Sequence, residues 1–485
     1  MHVERELKFR LAAASASRVW SLIPGPAPAS RRVLENIYYD TPERRLRAAR
    51  AALRLRRDGK RWLICFKHDR APASGLAQRS EWEAPVAHGT WTVEALPVAE
   101  IRAFAGLDLR ALAPRLMPVF STRFTRRSSE IALTDGARLE VCVDRGYIAA
   151  GRRRAPIREL ELELGAGDLG AMLAFAERLV EPLRLELEPL SKAERGYRLA
   201  AGERAAPVKA RPPSFGEDES TESVLLAVVQ AGLAQIEGNV EGVAQASDPE
   251  YLHQLRVGMR HLRSAWRSFE DLGPRKAFRA PAAALKDLMP VLGKARDWDV
   301  FCLGLRRPAL ARRASAARAQ ARRAAQALVR SARMQRLVLG VVRWMHEAPW
   351  RRDGEATRSA AVFAGRMLAR LERRLRRRGD EVDWEDPSQR HRLRIRVKRL
   401  RYACEPFAAL YQGPTVKRYL QRLGALQDIL GELNDIVVGR RLLAELRLAR
   451  EDAAPVLRSY AAREQRLIAR LEDAWRAWRY SESPW

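Results

Sequence analysis

The sequence predicts an α+β chain with two architectures, a closed β-barrel in the N-terminal part and an all-α region behind it. Three observations carry this expectation. Many short N-terminal segments alternate apolar residues with charges of one sign, the period-two pattern of strands. A Pro-, Ser- and charge-rich stretch at 203–220 ends that pattern, and helical periodicity replaces it. The helical part then repeats at a fixed offset, the mark of a duplicated unit.

The first strand is expected at Glu4-Arg5-Glu6-Leu7-Lys8. Residues two apart share a face, so Glu4, Glu6 and Lys8 project together. Two carboxylates suit a hard divalent cation, and an ammonium suits a phosphate oxygen. Ile37-Tyr38-Tyr39 reads as a strand that breaks into a turn at Asp40-Thr41-Pro42. Leu53-Arg54-Leu55-Arg56 and Ile64-Cys65-Phe66-Lys67 alternate apolar and cationic residues. Ser80-Glu81-Trp82-Glu83, Leu139-Glu140-Val141-Cys142-Val143-Asp144 and Glu159-Leu160-Glu161-Leu162-Glu163-Leu164 alternate with carboxylates instead. An ordinary sandwich would mix signs on its outer faces. A closed barrel accounts for the pattern by lining its lumen with charge and packing Leu, Ile and Val outward against helices.

Lysine usage adds an independent signal. Only ten of the 89 basic residues are Lys, and Lys8, Lys67 and Lys192 fall in the segments that matter. An ammonium and a guanidinium are not interchangeable beside phosphate.

The order Glu4-x-Glu6-x-Lys8, then 36–42, Pro118-Val119-Phe120-Ser121-Thr122 and 190–197, resembles a CYTH domain of the triphosphate tunnel metalloenzyme superfamily, in particular bacterial inorganic triphosphatases. That resemblance implies an eight-stranded antiparallel tunnel barrel that hydrolyses triphosphates with Mg²⁺ or Mn²⁺. By the same likeness Glu4 and Glu6 would bind metal with Glu159 and Glu161, Glu163 sharing their face and leaving the register of the triplet open. Lys8, Arg54, Arg56, Lys67 and Lys192 would hold phosphates, joined by Arg123 or Arg126. Glu81, Glu83 and Asp144 would be further acidic wall residues. Carboxylates would fix the metal, which orients or activates a water, while the cations neutralise charge on the departing phosphoryl group.

In the second half, the block from His253 to Arg263 recurs from His391 to Arg401, 138 residues later. Leu292-Gly293 and Asp297 match Leu430-Gly431 and Asp435 at the same offset. On a helical wheel His253, Arg256, Arg260, Arg263 and Arg267 fall within an arc of about 80°. Leu255, Met259, Leu262, Trp266 and Phe269 fall opposite. The second copy sets His391, Arg394, Lys398 and Arg401 against Leu393, Val397, Leu400, Cys404 and Phe407, with Glu405 where the first copy has Arg267. Like charges along one stripe cost a few tenths of a kcal/mol each, which points to an external anion. Asp297 and Asp435 are expected to order helices or nearby Arg side chains. Both blocks resemble a CHAD domain, which implies two pseudo-symmetric helical bundles and a polyphosphate channel lined by these basic residues.

Composition frames these expectations. The 485 residues suggest about two to four domains, here 1–202, a linker at 203–220, and 221–485. A net charge of +30 points to a polyanionic partner. No base-reading motif or stacking platform stands out, so a specific nucleic-acid partner is not expected. Cys65, Cys142, Cys302 and Cys404 are scattered, as in a reducing compartment. Charge replaces the apolar run of a secretory leader, and no uninterrupted apolar stretch reaches the roughly 18 residues of a membrane span. The expected protein is thus a cytoplasmic triphosphatase bound to polyphosphate, at granules where these exist. Its competitors are a cyclase acting on ATP and a non-catalytic polyphosphate binder.

Overall fold

The computed structural model describes residues 2–25, 31–69, 76–87, 92–210, 213, 215, 218–246, 248–305, 308–351, 359–407, 410–411 and 413–485. The chain forms two compact units, Met1–Ala206 with Arg330–Glu347, and Pro207–Val329 with Ala348–Trp485. The first therefore includes a helix from the middle of the region expected to form the second domain.

The first unit is built on strands β1 (His2–Arg10), β2 (Arg32–Asp40), β3 (Ala51–Asp58), β4 (Arg61–Asp69), β5 (Leu76–Val86), β6 (Met117–Ala132), β7 (Arg138–Ala150) and β8 (Arg153–Ala166). They pair antiparallel in the order β5-β4-β3-β2-β6-β7-β8-β1, and pairing of β5 with β1 closes the ring. A two-residue strand β9 (Glu186–Leu187) adds to β1. Short helices α1 (Val19–Leu22), α2 (Arg45–Ala48), α3 (Val98–Ala105) and α4 (Leu109–Leu112) interrupt the strands. Leu53, Ile64, Phe66 and Trp82 pack outward with Leu46, Ile101 and Leu109 of three of these helices. Outward apolar packing leaves the charged alternates no direction but inward.

Helices α5 (Leu169–Leu183) and α6 (Lys192–Ala201) complete the N-terminal stretch. Helix α6 starts at Ser191, whose hydroxyl accepts from the Glu194 backbone N–H. Gly196 is required there because a Cβ would collide with the Phe120 ring. The buried Asp40 carboxylate accepts from the backbone N–H groups of Thr41, Leu46 and Arg47 at 2.7–3.0 Å and so caps α2. Arg47 then pairs with Glu194 of α6, fixing that helix against the barrel.

The second unit is helical: α7 (Thr221–Gln245), α8 (Pro249–Ser268), α9 (Arg275–Ala284), α10 (Met289–Leu303), α11 (Pro308–Val329), α13 (Ala360–Gly379), α14 (Pro387–Cys404), α15 (Pro414–Glu445) and α16 (Arg450–Arg479), with α12 (Ala332–Glu347) lying in the first unit. The duplication extends to the helix starts: Asp248 caps α8 and Asp386 caps α14, each followed by Pro at the first turn. Helix α7 is long and apolar enough to cross a membrane by length and mean hydropathy alone, although Gln230, Gln235, Glu237 and Asn239 interrupt its apolar residues. In this fold its Val224, Leu225, Val229, Leu233 and Ile236 are core residues packed with α8, α11 and α13.

Candidate functional site

Because β1 and β8 pair with Glu6 opposite Glu163 and Lys8 opposite Glu161, the acidic run of β8 and the opening motif meet along one lumen wall. Glu4, Glu6 and Lys8 are all buried, each no more than 6% exposed. The lumen opens at one end into a cavity of about 700 Å³ lined by Glu4, Arg56, Lys67, Glu81, Arg126 and Glu163, among others. At the other end Tyr38, Phe120, Ile148, Ile157 and Tyr197 form an apolar cluster.

Between them the charges are paired. Lys67 Nζ lies 2.7 Å from a Glu4 oxygen and 3.1 Å from Glu81. Lys192 Nζ lies 2.8 Å from Asp144 and 2.6 Å from both Glu159 and Glu161. Arg126 donates to Asp144 at 2.7 and 2.8 Å and also to Glu161. Arg54 reaches Glu81 at 3.4 Å, and Arg56 reaches Glu83 at 3.5 Å and Asn36 at 3.1 Å.

Electrostatics divide this wall in two. Burial alone would raise the Glu161 carboxyl, but Lys192, Arg126 and Lys8 outweigh it and hold the group well below the ordinary range. Burial likewise raises Glu4, and Lys67 and Arg79 reverse the shift. Glu163 behaves otherwise: burial, then the charges of Glu4 and Glu6, push it up to about 8. Asp144, Glu159 and Glu161 lie close enough together to share a cation, though the Lys192 ammonium touches all three. Among the described residues, Lys67 takes one oxygen of Glu4, while Lys8 and Arg79 share a single oxygen of Glu6. This oxygen-rich donor set fits Mg²⁺ or Mn²⁺.

The structure separates the two cationic alternatives on β6. Arg123 faces away, paired with Glu35 at 3.1 Å and 61% exposed, whereas Arg126 is in the lumen. Arg123 therefore drops out as a phosphate ligand, because an odd spacing along a strand reverses the face. Glu83 sits at the rim, half in solvent, and accepts from the Cys65 thiol at 2.9 Å. Three lumen residues escaped sequence reasoning: Asn36, which bridges Arg56 and Thr122; Arg195, which clamps Glu159; and Arg79. Arg79 pairs with Glu6 and, at 2.6 Å, with Asp69. The Ser80-Glu81 alternation carried back two residues would have placed Arg79 on the inner face.

In the second unit α8 and α14 pack together and oppose their basic stripes. Burial, then repulsion from Arg394 and Arg260, lowers Lys398 to about 8. Burial and Arg260 lower Arg256 to about 10. His253 is half-buried near Arg296 and Arg260, whereas His391 is exposed beside Asn434. Arg263 lines a separate cavity of about 300 Å³ with Arg267, Arg279 and Lys286. Arg401 approaches Gly424 on α15. Asp297 pairs with Arg441 at 3.0 Å, the ordering role expected of it.

The CYTH family profile matches residues 2–197, and the CHAD profile matches residues 227–444. The chain carries a CYTH domain followed by a CHAD domain. It is 31% identical over 175 residues to the inorganic triphosphatase of Haemophilus influenzae, covering 35% of this chain. The chain spans less than half of that relative's length, 46%. Among solved structures, the CHAD domain of the plant Ricinus communis is 31% identical, covering 58% of this chain and 99% of that one, with a TM-score of 0.49. A putative adenylyl cyclase from Hippeastrum, a protein with a dominant triphosphatase activity, is 15% identical, covering 41% of this chain and 97% of that one, with a TM-score of 0.31. The fold is a closed antiparallel eight-stranded barrel followed by a largely helical region.

Proposed function

We propose that the CYTH domain hydrolyses inorganic triphosphate to diphosphate and phosphate, and that the CHAD domain binds inorganic polyphosphate. The observation that carries the first part is the split wall: Asp144, Glu159 and Glu161 are held by Lys192, Arg126 and Arg195, whereas Glu4 and Glu163 line the mouth cavity with Glu6 beside them on the same lumen wall. Glu4, Glu6 and Glu163 would hold Mg²⁺ or Mn²⁺, and Glu161 would support them from the next position on β8. The metal would supply charge neutralisation and an activated water. Glu159, enclosed by Lys192 and Arg195, belongs to the supporting scaffold in this reading.

Lys8, Arg54, Arg56, Lys67, Arg126 and Lys192 would bind the phosphate oxygens. As the terminal phosphoryl group leaves, charge grows on the bridging oxygen, and preorganised cations stabilise it without reorganisation. Glu81 and Asp144 hold those cations in place. For the CHAD domain, half-buried Arg256, Arg394 and Lys398 each hold their protons less tightly, through burial and then repulsion from neighbouring cations that include Arg260, a cost that an anion would relieve. The similarity to the inorganic triphosphatase of Haemophilus influenzae supports a triphosphatase, and four free cysteines accord with the cytoplasm.

The test is a substrate panel on the full chain with Mg²⁺ or Mn²⁺. Orthophosphate release from tripolyphosphate is expected, and its loss in Glu4→Gln and Glu6→Gln. Cyclic AMP formation from ATP without tripolyphosphate turnover would replace this function with a cyclase.

A further inference from the structure

We propose that Lys67 and Glu4 form an exchange pair that couples entry of the divalent cation to entry of the phosphate chain. This rests on the metal and phosphate roles proposed above. Both residues line the mouth cavity, so each is within reach of a ligand that enters there. Their side chains are 19% and 7% exposed and lie 2.7 Å apart, a largely desolvated pair. Removing one partner from such a pair leaves the other charge uncompensated, which costs far more than the pair itself contributes.

Consider each ligand arriving alone. A phosphate that draws Lys67 away takes the cation in contact with the Glu4 carboxylate and leaves it only Arg79 to offset Glu81 and Glu163. A divalent cation that draws Glu4 away takes one of the two carboxylates that hold Lys67 and leaves it Glu81 alone, 3.1 Å away, beside Arg54, which repels it. When both arrive, Glu4 passes to the cation and Lys67 to a phosphate oxygen. Every charge then keeps a partner. Each ligand lowers the cost of binding the other, and the effect is reciprocal.

Lys67 is suited to the exchange and Arg79 is not. Lys67 is a point charge on a flexible stem. Arg79 is held at both ends, by Glu6 on β1 and Asp69 on β4, across the seam where β5 closes the barrel. One is a movable contact, the other a fixed clamp.

Single-ligand titrations of the full chain test the exchange without turnover: Mn²⁺ alone, and tripolyphosphate alone in the presence of EDTA. Lys67→Met should bind Mn²⁺ about tenfold more tightly, because Glu4 no longer has to leave a partner, and bind tripolyphosphate at least as much more weakly. Glu4→Gln should show the opposite pair of changes. If Glu4→Gln weakens Mn²⁺ binding but Lys67→Met does not tighten it, the exchange is wrong and the metal role of Glu4 stands. If Glu4→Gln binds Mn²⁺ like the wild type, the metal role falls and the exchange with it. Should Lys67→Met fail to fold by circular dichroism, Lys67→Gln, which keeps a neutral donor to Glu4, gives the same comparison.

Discussion

Single residues in this chain are decided by parity and burial more than by type. Arg123 and Arg126 are chemically identical, yet one is solvated beside Glu35 and the other is locked to Asp144 and Glu161. Glu237 of α7 is the reverse case, an acid where no chemistry asks for one. It is 8% exposed, and among the described residues neither carboxylate oxygen has a hydrogen-bond partner. Burial pushes it well above the usual carboxylate range. The folded chain therefore holds the proton more tightly than the unfolded one. Its stabilising contribution is complete only below the ordinary value near 4.5 and is lost as pH rises. Glu237→Met, of similar volume and without the orphaned oxygens, should stabilise the helical unit by about 1–3 kcal/mol at pH 8. Denaturant unfolding at pH 5 and pH 8 would show a gain that is larger at the higher pH. A gain equal at both, or a loss, would mean that the carboxyl is satisfied in solution.

At the level of elements, the strands were legible because alternation in charge sign is a strong period-two signal. Glu159-Leu160-Glu161-Leu162 could hardly be read otherwise, and its inward acids face Lys8 and Lys192. The register of that acidic run was not legible. It depends on which β8 residue pairs with Glu6, and only the closed sheet places Glu163 there. The link of Asp69 through Arg79 to Glu6 was hidden for the same reason, since it crosses the β5–β1 closure. The basic stripes of α8 and α14 were legible from their phase, but their mutual approach was not. That approach has a measurable consequence at Lys398, whose affinity for protons falls from the ordinary 10.5 to about 8. Between those values the unfolded chain binds more protons, so stability is lost as pH falls from 10.5 toward 8. A bound polyanion should reverse this. Polyphosphate binding near pH 8.5 is expected to take up a proton, seen by calorimetry in buffers of different ionisation enthalpy, and Lys398→Met should abolish that uptake. Equal heats in all buffers would remove Lys398 from the anion site.

For the whole molecule, the division into compact units departs from the order of the sequence. The duplicated helices α7, α8, α10 and α11 correspond to α13, α14, α15 and α16, and the chain linking the two sets contains α12. That helix packs on α5 and β9 of the barrel unit, and Gln335 accepts from the Leu187 backbone N–H at 2.9 Å. Arg336 and Arg343 pair with Glu181 and Glu177 of α5. Nothing in an amphipathic helix names its partner, so its periodicity gave no sign of where it belongs. Met334, Leu337, Val338, Val341, Val342 and Trp344 are buried in this arrangement. Each contributes about 1.5–3 kcal/mol before chain entropy is subtracted, in sum the same order as the whole margin of a typical domain. Residues 1–206 expressed alone should therefore aggregate or melt well below the barrel of the full chain. Joining 330–347 to that fragment through a flexible linker should restore its melting temperature, because the missing element is then supplied at high effective concentration. If the fragment without the helix is as stable as the fragment with it, α12 is a passenger and the barrel is complete at Ala206. If the fused helix rescues it, tripolyphosphate assays on the short fragment would report an unfolded chain rather than an inactive tunnel.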